Sequence, residues 1–371
     1  MSQIAVRTIS AAVHLAFVSS QASVSFLQTP AWGDVKNEWR HESLGWFRGD
    51  ELVGAGLVLY RQLPRVRRCL AYLPEGPVLD WRSEQLPELL DVMAKHVHGH
   101  GAFGVRMGPP LRVRTWEADT VKQAITEPAL RRLGDVPPDS RSDVGQRVQT
   151  VLRALGWRPQ VSDAGFATGQ PRFVFAIPLK GRVESDVLSG MNQLWRRNIK
   201  KAAKAGVVVS RGSIGDLASF HQLYAETARR DHFTPRPLSY FQRMFTAMQG
   251  ESHDRIRLYS AHHAGDLVAA TIWVRVGDHV WYSYGASATA KRDIRGSNAV
   301  QWQMIRDAIA IGADTYDLRG ITDTLDPEDP HLGLLQFKVG TGGEAVEYVG
   351  EWDLPLNRLI YKAFDAYMSR R

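Results

Sequence analysis

Lys338 stands inside the apolar run Leu334-Leu335-Gln336-Phe337-Lys338-Val339-Gly340, a short way past Asp317-Leu318-Arg319-Gly320. Read as strand-like, the run buries an ammonium at a cost unless the side chain reaches solvent or an anion. A lysine so placed can stabilise the oxyanion of an acyl transfer. The segment from Met191 to Gly206 predicts a helix bearing Arg196, Arg197, Lys200, Lys201 and Lys204. The last four fall at i, i+3, i+4 and i+7, a stripe able to track phosphates or, more plainly, a solvated face whose lysines complement the helix dipole. Between Arg229 and Tyr240, Pro235 and Pro237 hold the backbone extended around Arg236, and Tyr240 follows four residues later. A guanidinium fork and an aromatic face could then share one cleft, although an exposed arginine on an interhelical loop is the plainer reading.

Other patterns carry less. His96, His98 and His100 alternate at a helix end, with no carboxylate or cysteine at metal-ligand spacing, so no metal is expected. Gly340-Thr341-Gly342-Gly343 lacks the lysine-serine ending of a nucleotide-binding loop and reads as a turn. Arg295-Gly296-Ser297 opens a helix where a phosphate could sit, but departs from the Arg-x-x-Gly-x-Gly spacing of acyl-CoA acetyltransferases. Coenzyme A is therefore not expected, nor any other cofactor. No Ser-His-Asp or Cys-His set is recognisable.

The elements that must position these residues come in two similar sets. Glu51-Leu52-Val53-Gly54-Ala55 and Asp266-Leu267-Val268-Ala269-Ala270 each open an apolar strand after a charged turn. The first returns through Arg68 to Leu73, the second through His279 to Gly285, and both read as β-branched and aromatic hairpins. A helix of apolar period near 3.6 follows each: Leu86, Leu89, Leu90, Met93, Val97, then Val300, Met304, Ile305, Ala308, Ile309. Gly101-Ala102 and Gly312-Ala313 stop these helices, and short strands follow at Phe103 to Met107 and Thr315 to Leu318. Hairpin, helix and strand, repeated, predict a duplicated α+β domain. Residues 115 to 165 carry polar, Pro- and Gly-bearing stretches and a helix over Val144 to Leu155, which puts the boundary near Gly165.

The chain has 371 residues, 44% apolar and 23% charged, enough for two globular domains. Its net charge of +7 suits a polyanionic partner and equally serves solubility. Cys69 is the single cysteine, which rules out an intrachain disulfide and a cysteine-rich zinc site and fits a reducing compartment. The apolar stretch Ala11 to Val18 is too short to span a bilayer and reads as folded structure.

Taken together, these residues resemble the Fem family of non-ribosomal peptidyltransferases. The resemblance rests on Phe26-Leu27-Gln28-Thr29-Pro30-Ala31-Trp32-Gly33-Asp34-Val35-Lys36, on Pro74-Glu75-Gly76-Pro77-Val78-Leu79-Asp80, on the basic helix from Arg196, and on Phe337-Lys338. It implies two tandem acetyltransferase-like (GNAT-like) domains without a long coiled-coil arm, residues 1–165 plus 350–371 binding a precursor and residues 166–349 performing the transfer. The implied activity moves an amino acid from aminoacyl-tRNA to an amine of the peptidoglycan stem peptide, on lipid II or on UDP-MurNAc-pentapeptide. It also implies a cytoplasmic protein with peripheral contact at the inner membrane face and no stable protein partner. Residue by residue, Lys36, with Trp32 in the same motif, matches the contact to the precursor's phosphates. Arg236 and Tyr240 look like the second-domain pair holding the same group. Tyr282 or Tyr284 matches a substrate-contacting tyrosine, Lys338 the lysine beside the transferred acyl group with Phe337 before it, and the basic helix the tRNA side. At Met107-Gly108-Pro109 a glycine stands where some members carry aspartate, so no acceptor contact is placed there. The rivals are a tRNA-dependent amide synthase of a secondary-metabolite pathway, an acyl-CoA N-acyltransferase, and a non-catalytic RNA-binding protein.

Overall fold

A computed structural model describes residues 4–64, 66–160 and 169–368; the boundary expected near Gly165 lies outside the described residues. The chain forms two compact units, one of residues 1–114, 140–172 and 347–371, the other of residues 115–139 and 173–346. Each has its own apolar core. Trp46, Val58, Leu73, Leu90, Met93 and Trp352 centre the first; Phe175, Trp195, Trp273, Ile305, Tyr316 and Leu335 centre the second.

The first unit's sheet runs in the order Ile4–Ile9, Arg40–Arg48, Glu51–Gln62, Cys69–Leu73, Ala102–Met107, Trp352–Pro355, Arg158–Pro159. The antiparallel hairpins precede one parallel step, from Cys69–Leu73 to Ala102–Met107, crossed by the helix Leu86–Gly99. A parallel neighbour needs such a crossover. Leu86, Leu89, Leu90, Met93 and Val97 turn that helix's buried stripe to the sheet. The C-terminal strand Trp352–Pro355 lies antiparallel to Ala102–Met107. It is pinned by a two-point bridge from Arg106 to the fully buried Asp353, at 2.7 Å from both Nε and Nη2.

The second unit repeats the plan. Its sheet includes, in order, Val208–Gly212, Ile256–His263, Asp266–Val276, His279–Ser287, Thr315–Ile321, Phe173–Pro178 and Glu344–Tyr348, with the helix Gly296–Ala310 crossing between the two parallel strands. The duplicated α+β domain read from the repeated pattern is present, as is the tandem acetyltransferase-like architecture that the family resemblance implies, and no long coiled-coil arm occurs among the described residues.

Two readings of the sequence need correcting. Residues 115–139 belong with the second unit, because Trp116, Val121 and Leu133 bury their side chains in the core around Phe173 and Phe175. The run around Lys338 is a helix, Leu332–Val339, which turns Leu335 and Val339 into that same core. No described helix is long and apolar enough to cross a membrane.

Candidate active site

The two units differ where their parallel strands meet. In the first unit all five residues of Cys69–Leu73 pair with the neighbouring strand. In the second the parallel ladder has three pairs, His279 with Thr315, Val280 with Tyr316 and Trp281 with Asp317, and then stops. The next residues of one strand carry Tyr282 and Tyr284; those of the other carry Arg319 and Gly320. Carbonyls facing an unzipped stretch need partners, since a buried C=O without a hydrogen bond is costly.

Lys338 supplies them. Its Nζ donates to the Gly320 carbonyl at 2.6 Å and the Arg319 carbonyl at 3.3 Å, and the residue is 4% exposed. The side chain thus neither reaches solvent nor snorkels, as a strand position would have required; it runs from its helix into the splay. Burial pulls its pKa down to about 7, against the attraction of Asp317 and with a further push from the Arg319 charge. An ammonium has three N–H groups and here spends two on carbonyls, leaving one to direct at a reacting oxygen.

The turn presenting those carbonyls is itself held. Arg319 adopts φ 63°, the left-handed region, in an irregular stretch of pairing between Asp317 and Gly320. Asp317, 1% exposed, accepts the Arg319 backbone N–H at 2.5 Å, and its other oxygen lies 3.4 Å from His279 Nε2. Burial pushes the Asp317 carboxyl up, but His279 and the Arg319 N–H outweigh it and hold the group below its usual range. The His279 ring stacks on Trp281, 3.9 Å between centroids, which fixes its orientation.

Beside Lys338 the aromatic wall continues. Trp195 donates its indole N–H to the Phe337 carbonyl at 2.8 Å, and the two rings lie 4.8 Å apart. Trp195 belongs to the helix Gln193–Lys204, capped by Asn192, whose Oδ1 accepts the Trp195 N–H at 2.9 Å. A cavity of about 360 Å³ opens along Trp195, Asn198 and Phe337 and is edged by Lys291, Arg292 and Arg295 at the start of the helix Gly296–Ala310. The first-turn N–H groups of a helix lack intrahelical partners and favour anions, so this cavity combines an apolar floor with a cationic rim. Gly342, at φ 74°, lets the turn after Lys338 pass so close to the Gly190 carbonyl that a Cβ would collide with it. The Gly340–Gly343 segment is indeed a turn, with a packing purpose.

Of the residues expected from sequence, Arg196, Arg197, Lys200, Lys201 and Lys204 share one surface of the helix Gln193–Lys204. Trp195, Asn198 and Ala202 face inward, so the exposed Arg197, Lys200, Lys201 and Lys204 form a continuous stripe on the helix's outer face. Arg236 and Tyr240 do meet: the guanidinium carbon lies 5.3 Å from the ring centroid. Tyr240 is buried and its hydroxyl is 3.0 Å from that of Tyr284, on the strand at the splay. Tyr282 lies against Gly285, where a Cβ would strike its hydroxyl; burial raises its phenol to about 12. In the first unit, Lys36 caps the helix Pro30–Val35, its Nζ 5.6 Å from the Trp32 ring centroid and 3.9 Å from Glu38. The sequence did not single out Trp195, His279, Lys291 or Arg292, and named Asp317 only as part of the segment ahead of Lys338. The one signal available was a carboxylate between two apolar residues of a strand, Tyr316-Asp317-Leu318.

A family model for the FemAB family matches residues 9–254 and 254–368. The chain belongs to the FemAB family. As a member it is an acyl-transferring enzyme, and the two GNAT-like units described above are its scaffold. This FemAB chain is 23% identical over 426 aligned residues to lipid II:glycine glycyltransferase of Staphylococcus aureus strain MRSA252, the match covering 96% of the chain and 94% of that relative. It superposes on the crystal structure of FemX with a TM-score of 0.80 at 21% identity, over 96% of this chain and 99% of that one. A tandem GNAT protein from the clavulanic acid biosynthesis pathway shares the fold more loosely, with a TM-score of 0.53 at 11% identity over 95% and 99%.

Proposed function

We propose that this FemAB-family protein transfers an amino acid from aminoacyl-tRNA to a stem-peptide amine of a lipid II-type peptidoglycan precursor, with the chemistry in the second unit. The observation that carries the reading is the asymmetry between two similar units. Only the second has its parallel strands unzipped around a buried lysine, and Phe337, the residue before that lysine, lines a cavity with a cationic rim. The rim and the basic stripe of the helix Gln193–Lys204 suit the phosphates of an RNA 3′ end, and the aromatic floor suits its bases. The glycyltransferase relatives, named for lipid II, favour a lipid-linked acceptor. Arg236 with Tyr240 and Tyr284 are the groups of the second unit to hold it.

In the reaction the acceptor amine attacks the ester carbonyl, forming a C–N bond and a tetrahedral oxyanion. Collapse breaks the ester C–O bond, and the proton lost by the amine goes to the departing ribose oxygen. An aminoacyl ester is already activated, so positioning and oxyanion stabilisation are the tasks left to protein. The third N–H of the Lys338 ammonium performs the second; Phe337 and Trp195 wall the acyl group from water.

The direct test is to incubate the protein with charged tRNA pools and with lipid II or its soluble nucleotide precursor, then identify adducts by mass spectrometry. One amino acid added to the stem peptide is expected, with lipid II the better acceptor; no adduct from any pool would refute the proposal. The basic stripe gives a second expected result. Changing Arg197, Lys200, Lys201 and Lys204 to alanine should weaken tRNA binding and reduce the slope of log K against log salt by about 0.7 to 0.9 for each phosphate the protein no longer neutralises. Fluorescence anisotropy across a salt series reads it; an unaltered slope would remove the stripe from the RNA site.

A further inference from the structure

His96 and His100, which have no carboxylate at metal-ligand spacing in sequence, receive one from elsewhere in the first unit. The strand Arg40–Arg48 carries Glu42 up to the C-terminal turn of the helix Leu86–Gly99, where the two histidines stand at i and i+4. One ring nitrogen of each histidine and a carboxylate oxygen of Glu42 all lie within 4.8 Å of one another. The geometry points to a divalent metal site here, of the two-imidazole, one-carboxylate type that takes zinc.

His96 Nε2 lies 3.4 Å from Glu42 Oε1. That is the ligand-to-ligand edge of a tetrahedral zinc ion with bonds of about 2.0 to 2.1 Å. This nitrogen is buried and makes no hydrogen bond among the described residues, so its lone pair or proton is unspent. His100 Nδ1 lies 2.9 Å from the His96 carbonyl, which fixes the proton on Nδ1 and leaves Nε2 as a donor to metal. The carboxylate is oriented in turn: Thr8 Oγ1 donates to Glu42 Oε2 at 2.8 Å, and the Tyr60 hydroxyl donates to Oε1. The Thr8 and Tyr60 bonds give the carboxylate the support that metal ligands require, whereas the His96 and His100 rings stack, 4.3 Å between centroids and 25° apart, so one ring must turn about its side-chain torsions to bring both lone pairs to one ion. Arg40 borders the site, lying over the Tyr60 ring at 3.8 Å and donating to the His100 carbonyl at 3.3 Å. Glu42 offsets its charge. His100 is exposed, so a fourth position is left for water, and two imidazoles with one carboxylate favour zinc over magnesium or calcium. A bound ion would clamp the end of the helix to the sheet beneath it.

The full-length protein, stripped with a chelator, is titrated with zinc chloride by calorimetry and with cobalt(II) followed by its visible ligand-field bands. One equivalent is expected, with four-coordinate cobalt bands that zinc displaces and a Tm that rises with zinc concentration. The double change H96N and H100N should abolish the bands. E42Q, which preserves the Thr8 contact, should weaken binding at least as much as the roughly 10–100-fold that removal of an outer-shell partner costs. Circular dichroism and metal-free Tm confirm that each variant folds. No stoichiometric uptake overturns the site, as does uptake undisturbed in the double variant, which would place the metal on other histidines. So does a Tm that responds to pH but not to zinc, which would leave only a His96–Glu42 ion pair. None of these outcomes depends on the transfer reaction.

Discussion

Lys338→Met is expected to lower aminoacyl transfer by about 10²–10³-fold, the cost typical of losing one oxyanion donor, while tRNA binding is retained. Methionine keeps the unbranched stem but offers no N–H to the carbonyls of Arg319 and Gly320 or to the reacting oxygen. The pH dependence separates this role from its rival. With a pKa near 7, the Lys338 side chain is charged below neutrality and loses its proton as the pH rises. A neutral amine has two N–H groups, both already engaged by carbonyls, and would act only as a base. If the ammonium stabilises the oxyanion, the ratio of wild-type to Lys338→Met kcat/KM is largest below about pH 7 and shrinks above it; a base would give the opposite trend. Taking the ratio cancels the titration of the acceptor amine, which both enzymes share. Stability should follow the same group with a fixed sign. Its folded pKa lies below the unfolded value, so the unfolded chain binds more protons between about 7 and 10.5, and the wild type gains stability across that window as pH rises. Lys338→Met should lack the gain in a denaturant series.

The architecture was legible because its signals are local and redundant. Alternating β-branched strands, a 3.6-residue apolar stripe and a glycine stop each point to one element, and the whole set occurs twice. The helix around Lys338 was not legible. An apolar run of about eight residues fits a buried strand or a short buried helix equally well, and no capping residue marks its start. The limits of the second core were also hidden, since Trp116 and Val121 join it across an interruption, residues 140–172, that belongs to the first unit. Candidate cations could be named from spacing, but which cation is buried could not. That depends on where a ladder stops, and Val280-Trp281-Tyr282 reads as an uninterrupted strand. Glu42 likewise meets His96 only because a strand passes under a helix end more than fifty residues away.

Asp317 carries the other large expected effect. Its carboxylate keeps Arg319 in a conformation that costs a non-glycine residue roughly 1–2 kcal/mol, and that conformation aims two carbonyls at Lys338. Asp317→Ala would leave His279 without its carboxylate and release the turn. A loss of about 3–5 kcal/mol is expected, the usual cost of removing one partner from a buried pair, together with loss of transfer. Such a result alone would be merely structural. Asp317→Asn separates the two roles, because an amide oxygen can still accept the Arg319 N–H while the negative charge beside Lys338 disappears. That charge opposes the fall in the lysine's pKa. Its removal should carry the pH at which the wild-type advantage fades to lower values, with the fold kept and with Lys338→Met insensitive to the same change. A profile that stays in place in Asp317→Asn would confine Asp317 to holding the turn; a shifted one would make the buried carboxylate the group that keeps an amine, enclosed by protein, charged enough to meet an oxyanion.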